Sequence, residues 1–213
     1  MKKLLLAPLT AALTALTAVA HADVMSITLS ETGFAPVTFF GALGAPSVSV
    51  TAGTSYGNFQ FNSIDAVASP LEPSPTELVT NTLNISSTGA ANPLVIDIKA
   101  ASIADLPGAG TPLDSFFSVT GITSGWTMIG ETLLDGTPLV TTPLIGSNFA
   151  QHFGAVGSLT GLDTFEAIYT INTHGAAGGF NGGIDIAAVP GPTVGSIGPA
   201  LVQVVKYIGK LLN

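Results

Sequence analysis

The side chains that could carry out chemistry are few and widely spaced in this sequence. It contains no cysteine, so neither a thiol nucleophile nor a thiolate-bound metal can form. Two histidines lie beyond residue 22, His152 and His174, too far apart in the chain to give a local metal-ligand spacing. We interpret both as loop or strand-end side chains that bond to solvent. Ser158 has glycines nearby but lacks the centred Gly-x-Ser-x-Gly spacing of a serine hydrolase.

The carboxylates also occur singly. Asp135, Asp163 and Glu166 could contribute to a weak calcium site, but the dense Asp/Asn/Gly loop of a calcium-binding module is missing. Solvated turn residues are the interpretation that we favour for them. The sequence therefore predicts no catalytic residue, no metal site and no cofactor, and we expect the protein not to be an enzyme.

Three aromatic side chains, Trp126, Tyr56 and Tyr169, could stack on sugar rings. Each lies in a segment of alternating apolar and polar residues, which favours packing in the core instead. Trp126 is the only tryptophan, so it is the first aromatic residue to test if the protein binds carbohydrate.

The charge composition excludes some partners. Without Lys2 and Lys3, three lysines remain against 13 Asp and Glu, a net charge of −10, and there is no arginine. A protein that tracks phosphates needs basic side chains to displace counterions, so no nucleic-acid partner is expected. Charged residues make up 8% of the chain, against about 25% in ordinary globular domains. Thr, Ser, Asn and Gly replace them, and such a surface suits neutral, hydroxyl-rich surroundings such as polysaccharide.

Apolar and polar residues alternate through most of the chain, which predicts an all-β fold. Met25, Ile27 and Leu29 alternate with Ser and Thr, as on a half-buried strand, and Asp135-Gly136 predicts a hairpin turn. Predicted strands cover residues 24–30, 47–51, 56–62, 79–86, 94–99, 115–120, 126–134, 165–172 and 183–188, with 138–142 as a weaker candidate. We predict a single β-sandwich over residues 23–189. A jelly-roll-like arrangement is one topology for it, and a barrel is the alternative.

Two segments interrupt the alternation. Residues 65–75 contain three prolines and predict a long loop, which leads into a helical turn at residues 76–78. Residues 100–112 begin with Ala and Ser and predict one short helix before a Gly-rich loop.

The first 22 residues have the order of a secretory signal peptide. Two lysines precede an apolar run, and Ala20-His21-Ala22 provides the small-x-small site that signal peptidase cleaves. We expect this signal helix to be removed between Ala22 and Asp23 and the protein to be exported.

The strand pattern stops at Val189-Pro190-Gly191-Pro192, and the tail of residues 190–213 predicts a hydrophobic or amphipathic helix. From residue 199 onward the apolar side chains form one helical stripe, and the polar ones, including two lysines, fall on the opposite side. The apolar stretch before those lysines is shorter than the roughly 20 residues that a membrane-spanning helix needs.

This arrangement resembles that of the PEP-CTERM proteins. A signal peptide, a low-charge Thr/Gly-rich β domain, a Val-Pro-x-Pro motif and an apolar tail carry the resemblance, and Val-Pro-Gly-Pro is similar to the variant in which Gly replaces Glu. In that family an exosortase recognises the motif, and the proteins are associated with exopolysaccharide, biofilm or floc formation. The resemblance implies that Val189, Pro190, Gly191 and Pro192 form the sorting motif, followed here by an atypical tail without arginine.

The leading hypothesis is a non-enzymatic cell-surface or extracellular-matrix protein of a Gram-negative bacterium, held transiently in the inner membrane by its tail. A secreted carbohydrate-binding module and a self-assembling surface-fibre subunit are the alternatives. Self-association follows from apolar strands with few lysines, because an unprotected sheet edge can add a second chain. Signal peptidase, exosortase and exopolysaccharide are the partners that these hypotheses imply.

Overall fold

A computed structural model describes residues 24–43, 45–69, 77–89, 92–103, 108–144, 149–159 and 163–189, which contain no helix. The predicted all-β class is confirmed. The strands are β1 (Val24–Glu31), β2 (Val37–Phe40), β3 (Ser47–Val50), β4 (Thr54–Tyr56), β5 (Phe59–Ser69), β6 (Glu77–Ser87), β7 (Leu94–Ile103), β8 (Gly108–Ile122), β9 (Thr127–Leu134), β10 (Thr137–Leu144), β11 (Phe149–Leu159), β12 (Asp163–Asn172) and β13 (Gly178–Ala188). The predictions that lie outside the described residues are the signal helix with Ala20, Ala22 and Asp23, the motif residues Pro190, Gly191 and Pro192, and the C-terminal helix.

The strands form two antiparallel sheets. The six-stranded sheet has the order β10-β9-β12-β7-β1-β2, and the seven-stranded sheet has the order β11-β8-β13-β6-β5-β3, with β4 also paired to β5. Many neighbours within a sheet are distant in sequence, so the chain crosses repeatedly from one sheet to the other. One buried apolar cluster draws side chains from both sheets, which therefore pack as the predicted sandwich.

The core consists of every second residue along the strands, on the face that each strand turns toward the opposite sheet. Met25, Ile27 and Leu29 of β1 are fully buried, as their spacing predicts, and they share the core with Phe61 and Ile64 of the facing sheet. Burying one such side chain stabilises a fold by about 1.5–3 kcal/mol, so the alternation of apolar residues sets which face of each strand turns inward.

The predicted hairpin at Asp135-Gly136 is confirmed. Leu134 and Thr137 are partners across β9 and β10, and φ is 50° at Asp135 and 73° at Gly136. Positive φ at both central residues is the conformation of a type I′ turn, whose twist matches that of the strands it joins. Asp135 Oδ1 also accepts a hydrogen bond from Thr164 N at 2.8 Å, which links the hairpin to β12.

The helix predicted for residues 100–112 is wrong. Ala100 lies in β7, where it pairs with Met25 of β1 and Phe165 of β12 and is fully buried. Alanine has the highest intrinsic helix propensity, but the preference is worth under about 1 kcal/mol per residue, and a central position between two paired strands overrides it. From Gly108 onward the same segment belongs to β8.

The loop prediction also fails in part, and three strands are missing from the prediction. Residues 65–69 continue β5, and β6 begins at Glu77, where the sequence predicts a helical turn. Strand β4 is missed because the predicted strand over residues 56–62 runs across the turn between β4 and β5. The other two, β2 and β11, lie at sheet edges. Most of β2 is exposed, and in β11 the partly buried face includes Gln151 and Gly157, which interrupt its apolar series.

Candidate functional site

The outer face of the seven-stranded sheet is interrupted along its central strand. This strand, β13, runs between β8 and β6 and contains two pairs of adjacent glycines, at 178–179 and 182–183. Its register shifts against β8 between Asn181 and Gly182, and against β6 between Gly182 and Asp185. Such bulges bend a strand and open its pairing, and glycine adds no side chain to fill the opening. The result is a depression along the middle of the sheet.

The neighbouring strands approach these glycines too closely for any other residue. A Cβ atom on Gly183 would lie 2.8 Å from Thr80 O in β6, and one on Gly179 would lie 2.9 Å from Ile85 O. Both distances are shorter than ordinary van der Waals contact, so a side chain would push β6 and β13 apart. The floor of the depression is therefore main chain, and the side chains around it come from the adjacent strands.

The larger part of the depression is an amide groove, lined by Asn62 of β5, Asn84 of β6 and Asn181 of β13 together with Ser86 and Thr123. Its volume is about 490 Å³, and none of its lining residues is charged. Asn62 Nδ2 donates a hydrogen bond to Asn84 Oδ1 at 2.9 Å, and Asn84 is the Cα partner of Asn181. The three amides form a row across three strands. Because each amide both donates and accepts, the groove offers both kinds of hydrogen-bonding group.

A second depression, the Asp185 notch, adjoins the amide groove at Asn181. It holds about 380 Å³, and its lining includes the hydroxyl residues Ser118 and Thr120, the bulge glycines and Asp185. Burial raises the pKa of the Asp185 carboxyl from 3.8 to about 6, and the charge of Glu77 acts in the same direction. A hydrogen bond with the backbone of Thr80 and the nearby His152 oppose this rise only in part.

An aromatic surface lies beside the notch. Phe116 of β8 is the Cα partner of Asp185 on one side and of His152 on the other. The Phe116 and His152 rings stack with their centroids 4.4 Å apart, and His152 Nδ1 lies 2.7 Å from Asp114 Oδ2. The interpretation of His152 as a loop or strand-end residue is wrong, since it lies within β11. The ring pair lies next to Asp185 in the sheet but outside the residues that line the notch.

The three aromatic residues that the sequence offers for sugar stacking are buried, so the preferred core interpretation is confirmed. Trp126 is 5% exposed, and its Nε1 donates a hydrogen bond to Ala176 O at 2.9 Å. Tyr56 donates to Ala35 O at 3.1 Å, and Tyr169 is fully buried, which raises the pKa of its hydroxyl. None of the three faces the amide groove.

The interpretation of Asp163 and Glu166 as solvated turn residues is wrong. Both lie in β12, where they are 1% and 7% exposed. Glu166 Oε1 lies 3.0 Å from Lys99 Nζ, which also holds Asp97 Oδ2 at 3.0 Å. Burial raises the pKa of Glu166, and its hydrogen bond with Lys99 opposes that rise. Within the described part of the chain, no group of three or more His, Asp or Glu side chains is arranged to hold a metal ion.

The remaining predicted residues lie away from the groove. His174 follows β12 with φ of 50°, as a strand-end residue, and its Nε2 lies 3.0 Å from Thr127 Oγ1. Ser158 lies within β11, whereas the nucleophile of a serine hydrolase needs a sharp turn. Val189 is the one motif residue inside the described ranges: it is 43% exposed, and its N–H donates to Pro112 O at 2.9 Å. No helix in the described ranges has the length and apolarity to cross a membrane.

Sequence reasoning missed the amide groove because its residues are distant in the chain. Asn62 and Asn84 are 22 positions apart, and Asn181 belongs to the last strand. Only the strand order and register bring them together. One signal was present in the sequence: paired glycines within a strand mark a bulge or a close approach of two backbones.

Fold and groove together define a β-sandwich with an uncharged polar depression on one outer face. No protein-family model and no curated protein matches the chain. Among solved structures it is similar to TmCBM61 in complex with β-1,4-galactotriose, with 8% identity, a TM-score of 0.39, and coverage of 76% of this chain and 88% of that one. It is also similar to the enzymatically active domain of bacteriophage CBA120 tailspike protein 4, with 9% identity, a TM-score of 0.32 and coverage of 78% and 19%. An arabinose-bound GH51 α-L-arabinofuranosidase has 13% identity, a TM-score of 0.32 and coverage of 67% and 23%.

Proposed function

We propose that this protein is an exported, non-enzymatic surface or matrix protein that binds a neutral polysaccharide in the amide groove. The observation that supports the proposal is the groove itself, which is open and uncharged and is lined by Asn62, Asn84 and Asn181. Sugar hydroxyls donate and accept hydrogen bonds, and side-chain amides match them in both roles. An open groove also suits a polymer, whose chain must enter at one side and leave at the other.

The polar surface extends beyond the amide groove on both sides. The Asp185 notch continues it toward β8, and a further depression lined by Ser55, Asn58 and Gln60 shares Ser86 with the groove. Strands β5, β6, β13 and β8 lie side by side in the sheet. At about 4.8 Å between neighbouring strands they span roughly 14 Å. A surface of this length accommodates more than one sugar unit, which favours a polysaccharide over a free monosaccharide.

Affinity gel electrophoresis tests the binding. We expect gels that contain a neutral galactan, glucan or mannan to retard the secreted protein, and we expect Asn84→Ala with Asn181→Ala to weaken that retardation about tenfold, since each hydrogen bond contributes about 0.5–1.5 kcal/mol. Gln151→Ala is the matched control, because Gln151 is an exposed amide on β11 outside the groove. Unchanged retardation in the double variant would contradict the proposal, and so would the absence of retardation in every neutral gel.

The route to the surface is a separate part of the proposal. Signal peptidase cleaves between Ala22 and Asp23, and an exosortase recognises Val189 to Pro192, after which the protein lies at the cell surface or in the matrix. Mass spectrometry of the exported protein tests the first step, and a mature N-terminus elsewhere would contradict it. Deletion of residues 190–213 keeps the hydrogen bond between Val189 and Pro112 and should shift the protein from the envelope to the medium. An unchanged distribution would exclude a sorting role for the tail.

A self-assembling surface-fibre subunit is the second candidate, and strand β11 favours it. This strand ends the seven-stranded sheet and pairs with β8 alone among the described strands, so one side of its 11-residue backbone is free to pair. Lysine and proline, which protect sheet edges, are absent from it, and Val156 is 71% exposed. We expect electron microscopy of the purified protein to show fibres that Val156→Lys removes. A monomer at every concentration in light scattering would reject this candidate.

A further inference from the structure

The notch places one carboxyl group directly in the path of a ligand in the amide groove. Asn181 lines both depressions, so a chain that extends from the groove toward β8 reaches Asp185. Asp185 lies on the outer face between Val79 of β6 and Phe116 of β8, its partners across the two adjoining strands. The bulge glycines leave open space beside it, and Ser118 and Thr120 add hydroxyl groups. Together these groups could hold one sugar unit.

Almost all the ionisable side chains around the notch are carboxylates, so the charge there is negative. Glu77 of β6, Asp114 of β8 and Asp65 of β5 lie on the same outer face as Asp185, and His152 of β11 is paired with Asp114. The one lysine among the described residues, Lys99, belongs to the other sheet and is held there by two carboxylates. Among the described residues, no lysine lies on this face to bind an acidic sugar, and the imidazole of His152 is paired with Asp114.

Building on the proposed function, we propose that the Asp185 notch selects neutral sugar units over uronate units and that Asp185 sets this preference. An ionised Asp185 accepts hydrogen bonds from sugar hydroxyls and repels a uronate carboxylate. A protonated Asp185 carries no charge and can donate a hydrogen bond to that carboxylate. The selection therefore weakens when the surroundings become mildly acidic.

The pH at which this happens follows from the surroundings of the carboxyl group. Burial raises the pKa of Asp185 to about 6, whereas a uronate carboxyl with an ordinary pKa of about 3.5 stays ionised well below that pH. Between about pH 4 and pH 6 the ligand is charged and the notch is largely neutral. The other carboxylates on the face, Glu77, Asp114 and Asp65, supply a background repulsion that Asp185 adds to.

The test compares one neutral and one uronate polysaccharide, a galactan and a polygalacturonate, in affinity gels near pH 5 and pH 7.5. We expect wild-type protein to bind the uronate polymer about tenfold more weakly than the neutral one near pH 7.5. Near pH 5 the ratio of the two affinities should fall to about threefold. Asp185→Asn should show the narrow ratio at both pH values. Asp65→Asn, an exposed carboxyl on the same face outside the notch, is the matched control: it should lower the background repulsion slightly at both pH values and keep the pH dependence of the ratio.

The outcomes separate the two proposals. Absence of binding to galactan, glucan and mannan alike at both pH values refutes the proposed function, and the selectivity with it. Galactan binding with equal polygalacturonate binding near pH 7.5 overturns only the selectivity, and so does a tenfold ratio that persists in Asp185→Asn. His152→Gln replaces the imidazole on this face, and loss of the pH dependence in that variant alone would assign the effect to His152 instead.

Discussion

Replacing Asp185 with asparagine changes the stability of the protein in a way that its surroundings define. The amide has nearly the shape of the carboxyl, and its oxygen can still accept the hydrogen bond from the backbone of Thr80. It cannot ionise. The variant therefore removes one charge from the notch and leaves the packing of β13 against β6 and β8 in place.

The expected effect follows from the direction of the pKa change. The Asp185 pKa is raised from 3.8 to about 6 in the folded protein, so the folded state holds the proton more tightly than the unfolded chain. Below about pH 3.8 both states are protonated and the carboxyl costs nothing. The cost grows between pH 3.8 and 6 and is complete above pH 6, where it amounts to about 3 kcal/mol for a fully enclosed group. Since the notch is partly open to solvent, we expect about 1–2 kcal/mol.

Urea denaturation at several pH values measures this difference. Asp185→Asn should be more stable than wild type by about 1–2 kcal/mol near pH 7.5, and the two proteins should converge near pH 3.5. Groups that do not interact with Asp185 contribute equally to both proteins and cancel from the difference. Asp65→Asn, at an exposed position in β5, should show no such pH-dependent gain. A variant that is less stable than wild type at neutral pH, or a difference that does not change with pH, would refute the reasoning.

Three further substitutions test other contacts by denaturation and by the gel assay. Glu31→Gln replaces a buried carboxylate whose two oxygens accept hydrogen bonds from Asn58 N at 3.0 Å and Asn58 Nδ2 at 2.7 Å, so the unfolding free energy should fall by about 1.5–3 kcal/mol. Gly183→Ala brings a Cβ to 2.8 Å from Thr80 O and should cost about 1–3 kcal/mol while weakening glycan binding at the adjoining groove. Trp126→Phe should lower stability by about 1–3 kcal/mol and leave the affinity for neutral glycan unchanged, and a loss of affinity in the folded variant would show that the indole is a binding residue.

The strands with one buried face were predictable, because their alternation records which side faces the core. Met25, Ile27 and Leu29 show this in β1. The hairpin at Asp135-Gly136 was predictable for another reason, because only a few residue types adopt the positive φ that its backbone requires. Strand β11 was not predictable, since Gln151 and Gly157 interrupt the apolar residues of its partly buried face and the apolar Val156 lies on its exposed face. Ala100 misled the prediction because its helical preference is local, whereas its burial between two strands is decided by distant segments.

The candidate site depended on information that a single sequence does not hold. Asn62, Asn84 and Asn181 are ordinary surface residues until register places them side by side. The surface composition pointed to polysaccharide in general terms, without pointing to a face of the sandwich. The paired glycines of β13 were visible, but a glycine pair in a strand can mark packing as readily as an opening.

The position of β13 also governs when the sandwich can form. It is the last of the described strands in sequence, yet it lies in the middle of the seven-stranded sheet, with β8 on one side and β6 on the other. Until Gly178–Ala188 has been synthesised, β6 and β8 each lack one of their two neighbouring strands, and Asn181 is not yet beside Asn84. Pairings this distant in sequence form slowly, because a long loop must close before any contact repays its entropy. The seven-stranded sheet is therefore completed only after residues 178–188 have been synthesised.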